Sequence, residues 1–183
     1  QAAELNQSFV PPLGSEEVHK TVENAISYRA KDRYQFTDLG NAERFRRDHK
    51  GEVIFVPEMK SWLAYNNGIW SADKASVSQR MHKTVRSIIE EGAQNIDDQD
   101  ALLRWRKRSE DNARLRAATD IASTLEGLVK PLGELDAKPN LLNLPNGTME
   151  LKTQTFRDHR PNDYLTRKTN GSFLSNAEAP RWR

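Results

Sequence analysis

The stretch from Val53 to Ser71, VIFVPEMKSWLAYNNGIWS, decides how the rest of the chain reads. Val53-Ile54-Phe55-Val56 is a β-branched and aromatic run that stops at Pro57, whose ring lacks the N–H a strand ladder needs. Ser61-Trp62-Leu63-Ala64-Tyr65 is a second run, ending at Asn66-Asn67-Gly68, and Ile69-Trp70-Ser71 follows at once. Asn67 and Gly68 both tolerate the positive φ of a tight turn, so the second and third runs are expected to fold back on each other. Together the three runs predict a small antiparallel meander. Trp62 and Trp70 flank the turn and alternate with polar residues, a pattern that suits core packing better than a platform for stacked bases.

Helical spacing surrounds this meander. Upstream, Thr37-Asp38 opens a short helix with Leu39, Ala42 and Phe45 as its apolar stripe and Gly51 beyond its end. Before it, Pro11 and Pro12 interrupt any helix. Ser15, with Glu16 and Glu17 in the first turn, then caps a predicted helix over 16–30 that aligns Val18, Val22, Ala25 and Ile26. Downstream, Val77, Met81, Val85 and Ile88 share one face, Ile89 flanks it, and Gly92 is the expected stop. Asp97 is expected to cap a helix carrying Leu102, Leu103 and Trp105. Ser109 is expected to restart the chain as a longer helix with Ala113, Ala117, Ile121, Leu125 and Leu128 inward and Pro131 at its end.

After residue 138 the pattern turns extended again. Leu141-Leu142-Asn143-Leu144, a turn at Pro145-Asn146-Gly147, Thr148–Leu151, a turn over 152–155 and Phe156-Arg157-Asp158 read as a second hairpin. Pro161–Tyr164 is a further turn, and 165–173 is partly extended. The fold class is α+β: a mainly helical domain with a small antiparallel β-meander and a C-terminal β-hairpin.

With 183 residues the chain suits one ordinary domain, or one domain with an appendage. It is 36% hydrophobic and 30% charged, yet its apolar residues recur periodically, so most of it is expected to fold. The absence of cysteine excludes disulfides, thiolate metal sites and a cysteine nucleophile. Nothing resembles a signal peptide, and no apolar run approaches the roughly 18–20 residues of a membrane span. A cytoplasmic location without a membrane partner is therefore expected. The N-x-S/T triplets at Asn6, Asn146 and Asn170 then read as chance or turn chemistry.

Catalytic motifs are missing. No G-x-x-x-x-G-K-[ST] and no G-x-G-x-x-G occurs, so P-loop binding of ATP is not expected and no cofactor is assigned to this segment. His19, His49, His82 and His159 lie far apart without an H-E-x-x-H pair. Asp97, Asp98 and Asp100 form the densest carboxylate cluster. They could hold Mg²⁺ or serve a metal nuclease, but a helix N-terminus, which favours negative charge, accounts for them better. No G-x-S-x-G occurs.

Charge distribution says more than the net +2. Between Arg104 and Arg116 six basic residues face two acids, and between Lys152 and Arg183 seven face three. Arg104, Arg106, Lys107 and Arg108 surround Trp105. Arginine forks can grip phosphate and an indole can stack on a base, which makes these four the principal DNA-contact candidates, with Lys83 and Arg86 as weaker ones. The competing reading places Trp105 in the core and leaves the cations to solvate the other faces. Arg114 falls within an apolar face, where a structural ion pair comes first and a DNA contact second.

A family resemblance follows from longer strings. Thr37-Asp38-Leu39-Gly40-Asn41-Ala42-Glu43-Arg44-Phe45, then Val56-Pro57, Trp62-Leu63 and Gly68-x-Trp70, resemble the domain that precedes the superfamily-3 helicase in phage, plasmid and poxvirus-type primase–helicases. Leu141–Thr148 with Leu151, and His159-Arg160-Pro161-Asn162-Asp163-Tyr164-Leu165-Thr166, are similar to later signatures of that family. Ala179-Pro180-Arg181-Trp182 looks like the lead-in to the helicase.

The resemblance covers about 37–183. It divides the chain into 1–35, a linker and helix similar to the tail of a primase-associated helical region, and 36–183, a pre-helicase accessory domain. It implies a phage- or mobile-element-encoded replication-initiation protein with its ATPase downstream and any priming activity upstream. The leading expectation is a non-catalytic module that couples primase and helicase domains of that polypeptide and contacts DNA through the basic residues around Trp105. ATP and Mg²⁺ would belong to the downstream helicase. The alternative is a subunit-interaction collar that helps the helicase ring oligomerise without touching DNA. The family has no defined catalytic residues in this domain, so none are carried over.

Overall fold

A computed structural model describes residues 34–91 and 96–176, with 14, 16–18 and 20; the side chains of 96–98 lie outside that description. The expected helix over 16–30, the Gly92 stop and the 179–182 lead-in therefore fall wholly or largely outside the described residues. The fold is α+β, with two three-stranded antiparallel sheets among helices.

Helix α1 spans Asp38–His49, and the Thr37 side chain accepts a hydrogen bond from the Gly40 N–H at 3.0 Å, as an N-cap should. Ala42 and Phe45 are fully buried. Leu39, expected in the same stripe, is 49% exposed. The buried face runs through Asn41, Ala42, Arg44, Phe45 and His49, and Leu39 lies to one side of it. Asn41 takes the inward place. Its Oδ1 accepts from Trp105 Nε1 at 3.1 Å, and its Nδ2 donates to Ser109 Oγ at 3.0 Å.

Strands β1 (Val53–Val56), β2 (Ser61–Asn66) and β3 (Ile69–Ala72) form the expected meander in the order β1-β2-β3. Asn66 pairs with Ile69, which leaves Asn67 and Gly68 as a two-residue turn. Their φ angles are +50° and +82°, the two positive values a type I′ turn requires. Both faces of the sheet are covered, which explains the unbroken apolar run 53–56. Val53, Trp62 and Ala64 join the helical core, while Ile54, Val56, Leu63 and Trp70 pack on the other side with Tyr65, Leu135 and Tyr164.

Helix α2 spans Lys74–Ser87, and Asp73 caps it by accepting from the Ser76 N–H at 2.8 Å. Val77, Met81, Val85 and Ile88 are buried as their spacing predicts, and Ile89 is exposed. Helix α3 spans Ile96–Ser109, so Asp97 sits inside its first turn rather than before it. Leu102, Trp105 and Ser109 line its inner face, whereas Leu103 is 40% exposed. Ser109 does not restart the chain. It is the buried last residue of α3, and α4 begins at Asn112.

Helix α4 spans Asn112–Ala122 and stops well short of Pro131. It buries Ala118 and Ala122, while Ala113 is exposed. Gly127 adopts φ +87°, a left-handed conformation that a helix cannot continue through. Residues 128–130 then run alongside β1: the Phe55 N–H donates to the Leu128 carbonyl at 2.7 Å, and the Lys130 N–H donates to the Phe55 carbonyl at 2.9 Å. Tertiary pairing with β1 thus overrides the helical spacing of Leu125 and Leu128.

Strands β4 (Leu141–Leu144) and β5 (Gly147–Glu150) make the expected C-terminal hairpin, and β6 (Thr155–Arg157) adds a third strand. The segment that follows grips the first meander. The Trp70 N–H donates to the Leu165 carbonyl at 2.8 Å, and Trp70 Nε1 donates to the Pro161 carbonyl at 2.9 Å. Tyr164 stacks on Trp70 with centroids 6.0 Å apart. Asn143 Nδ2 donates to the carbonyls of Gly68 and Arg167, both at 2.9 Å. A Cβ on Gly68 would lie 2.6 Å from the His159 ring, so the turn glycine also makes room for this packing.

Asp163 anchors the same segment. Its carboxylate is buried, with Arg157 Nη1 at 2.8 Å and Lys138 Nζ at 3.2 Å. Burial alone would raise its pKa. The hydrogen bonds and charges of Arg157 and Lys138 outweigh that and hold it below the ordinary 3.8. The pair therefore stabilises the fold above the unfolded carboxyl's pKa, and that contribution disappears as pH falls through the lowered folded value. We expect Asp163→Asn to lower stability at pH 7, with the gap from wild type narrowing below pH ~4. Urea melts of the two proteins across pH 2–7 check this, and a gap independent of pH would contradict it.

Candidate nucleic-acid interface

Helix α3 turns about 100° per residue, so burying Leu102 and Trp105 sends their neighbours outward. Arg104, Lys107 and Arg108 are exposed, and Arg106 is half-buried. Trp105 thus occupies the core, its indole N–H used by Asn41. It is not available to stack on a base.

The structure brings Arg86 and Arg106 together. Arg106 Nη2 lies 3.1 Å from Glu110 Oε1, and Arg86 Nε of α2 lies 3.7 Å from the same oxygen. One carboxylate thus sits between guanidinium groups from two helices. Both arginines are at least a third exposed, so solvent screens this contact and it contributes little to stability.

Lys83 is placed differently. It lines a cleft of about 450 Å³ with Arg47, Asp48, His49, Glu52, Glu90 and Glu91. Acids are the majority of that charged lining, which suits a phosphate poorly. Arg114 makes a structural contact: its Nη1 lies 3.2 Å from Asp38 Oδ1, and its guanidinium carbon lies 5.0 Å from the Trp105 ring centroid.

The Asp97, Asp98 and Asp100 cluster lies on the first turn of α3, with Asp100 exposed and the side chains of Asp97 and Asp98 outside the described residues. Among the described residues no group of three His, Cys, Asp or Glu side chains is close enough to hold a metal ion. No helix of the described residues is long and apolar enough to cross a membrane.

Spacing gave no site role to Arg44, a buried charge with four hydrogen bonds among the described residues. Its side chain is buried, with Nε 2.7 Å from Glu91 Oε1 and Nη2 2.8 Å from Glu91 Oε2. Nη1 donates to the Gln35 carbonyl at 3.0 Å, and Nη2 donates to the Tyr34 carbonyl at 2.8 Å. Arg47 Nη1 approaches the same Glu91 at 3.4 Å. The available signal was positional: Arg44 falls between Ala42 and Phe45 on the buried face of α1.

Residues 42–183 match a family model described as D5 N terminal like. Comparison with curated proteins returns no match.

Proposed function

The chain belongs to the D5 N-terminal-like family, the domain N-terminal to the superfamily-3 helicase in phage and plasmid primase–helicases, and from that premise we propose that it is a non-catalytic module coupling primase to helicase and contacting DNA through α3. The observation behind the DNA contact is the outer face of α3, where Arg104, Lys107 and Arg108 project into solvent beside Arg106 and Arg86. A surface of this kind grips phosphates without reading bases. Lys83 contributes least, given the acids around it. ATP and Mg²⁺ would act in the helicase that follows this domain in the family, and the primase and helicase domains would be its covalent partners.

Binding of labelled single- and double-stranded oligonucleotides, titrated against salt, tests this. Arg104→Ala, Arg106→Ala and Arg108→Ala combined should weaken single-strand binding and flatten its log–log salt dependence by about 2, at ~0.7 for each phosphate no longer neutralised. Thermal stability should change little for Arg104 and Arg108, which are exposed, and somewhat more for the half-buried Arg106, so the single Arg104→Ala and Arg108→Ala variants serve as controls. Unchanged affinity and salt slope would remove α3 as the contact. If the chain then self-associated without DNA, the collar reading would replace this one.

A further inference from the structure

We propose that the chain carries a second site for the phosphates of a nucleic-acid strand, in a cleft between the C-terminal turn of α1 and the 126–130 loop. This rests on the reading that the module contacts nucleic acid, but not on α3 being where it does so. The cleft holds about 660 Å³ and is lined by Tyr34, Arg46, Arg47, Lys50, Glu126 and Lys130, with Gly127 and Val129. Arg46, Arg47, Lys50 and Lys130 thus share it with Glu126, with Arg47 also paired to Asp48 and Glu91, and Lys130 to Glu134.

The fold assembles these groups from separate parts of the chain. Arg46 and Arg47 lie in the last turn of α1, and Lys50 is its C-cap residue. Cations at a helix C-terminus answer the negative end of its dipole, which is reason enough for Arg46 and Arg47 on their own. That does not account for Lys130, which reaches the same cleft because residues 128–130 pair with Phe55 of β1. Nor does it account for Gly127, which adopts φ +87° and would bring a Cβ to 3.3 Å from Lys50 Cε. The loop therefore passes close under the Lys50 stem, and a glycine permits that approach.

Two of the cations are already held in place. The Arg47 guanidinium lies 5.4 Å from the Tyr34 ring centroid, with its Nε 2.8 Å from Asp48 Oδ1. Lys130 Nζ lies 2.7 Å from Glu134 Oε2 and 4.9 Å from the Tyr164 ring centroid. Pre-ordered cations lose less freedom when a phosphate arrives. A free nucleoside triphosphate suits the lining less well than a strand. Its base would need an apolar or stacking surface, and the Tyr34 ring already carries the guanidinium groups of Arg44 and Arg47.

The test uses Arg46→Ala with Lys50→Ala, residues outside the ion pairs that hold Arg47 and Lys130, beside the α3 triple variant. In the 183-residue chain, the cleft pair should weaken binding of a labelled oligothymidylate about tenfold or more at low salt. Its salt slope should fall by about 1.4, at ~0.7 for each of the two phosphates left without a cation. Arg46→Lys with Lys50→Arg should restore binding. Inorganic tripolyphosphate should compete only weakly.

Wild-type affinity in the cleft pair, with binding abolished in the α3 variant, would overturn the cleft and leave α3 standing. Wild-type affinity in both would overturn both. Tight tripolyphosphate binding that depends on Arg46 and Lys50, with oligonucleotide binding unaffected, would replace the strand by a free polyphosphate. Photo-cross-linking of wild-type protein to thio-thymidine oligonucleotide guards against a misfolded variant. Adducts within 45–50 or 126–130 are expected, and adducts confined elsewhere would overturn the site.

Discussion

Glu91→Ala is expected to destabilise the protein by about 3–5 kcal/mol, the usual cost of leaving one partner of a buried ion pair alone. Arg44 keeps only the carbonyls of Tyr34 and Gln35 once Glu91 is gone. A guanidinium left without its carboxylate in a buried place is a desolvated charge with no opposite charge to offset it. Arg47 loses a carboxylate as well. For a chain of this size the melting temperature should fall by about 6–20 °C, at 2–4 °C per kcal/mol. Replacing both partners at once, Arg44→Met with Glu91→Leu, should recover much of the loss, because two desolvated charges disappear together. Calorimetry on the three variants checks this, and a loss under about 1 kcal/mol in Glu91→Ala would mean the pair is far more hydrated than its burial indicates.

Trp70→Ala should cost a comparable amount, about 3–5 kcal/mol, for a large aromatic removed from a packed interior. Trp70 is the largest fully buried side chain among the described residues, and it ties the first sheet to the 161–165 segment that follows the second. It packs against Tyr65 and Tyr164 and donates its indole N–H to Pro161. The loss should be visible locally as well as globally. Hydrogen exchange should speed up over 161–168, which Trp70 holds, before it speeds up in α1 and α2. Uniform loss of protection, or none, would show that Trp70 does not hold this segment to the first sheet.

The residues that carry the family resemblance acquire a physical meaning here. Gly68-x-Trp70 lies at the turn of the first sheet, and His159–Leu165 lies after the second. They meet: His159 against Gly68, Pro161 and Leu165 on Trp70, Tyr164 stacked beside it. Leu141–Thr148 joins them through Asn143, which bonds Gly68 and Arg167. Three separate strings thus form one interlock, which gives them a shared packing role.

Local chemistry determined much of this protein directly from its sequence. Asn67-Gly68 specifies its turn because few other residue pairs tolerate two positive φ angles, and Thr37 caps α1 because its hydroxyl reaches an orphan N–H. Val77, Met81, Val85 and Ile88 define the inner face of α2 because a helix repeats about every 3.6 residues. The missing P-loop is legible for the same reason, since its geometry is local.

What spacing could not show is which of two adjacent faces the core would accept. Leu39, Leu103 and Ala113 had the right periodicity and were turned outward, while Asn41, Arg44 and Ser109 were turned in. Polar partners from distant segments, Trp105 and Glu91 above all, made those inward places favourable. The end of α4 was likewise decided by Phe55, whose backbone claimed residues 128–130 for the sheet edge. The cleft that gathers Arg46, Arg47, Lys50 and Lys130 exists only because of that pairing. Arg46, Arg47 and Lys50 are neighbours in sequence, but Lys130 is distant from them, and only chain folding brings it to the same surface.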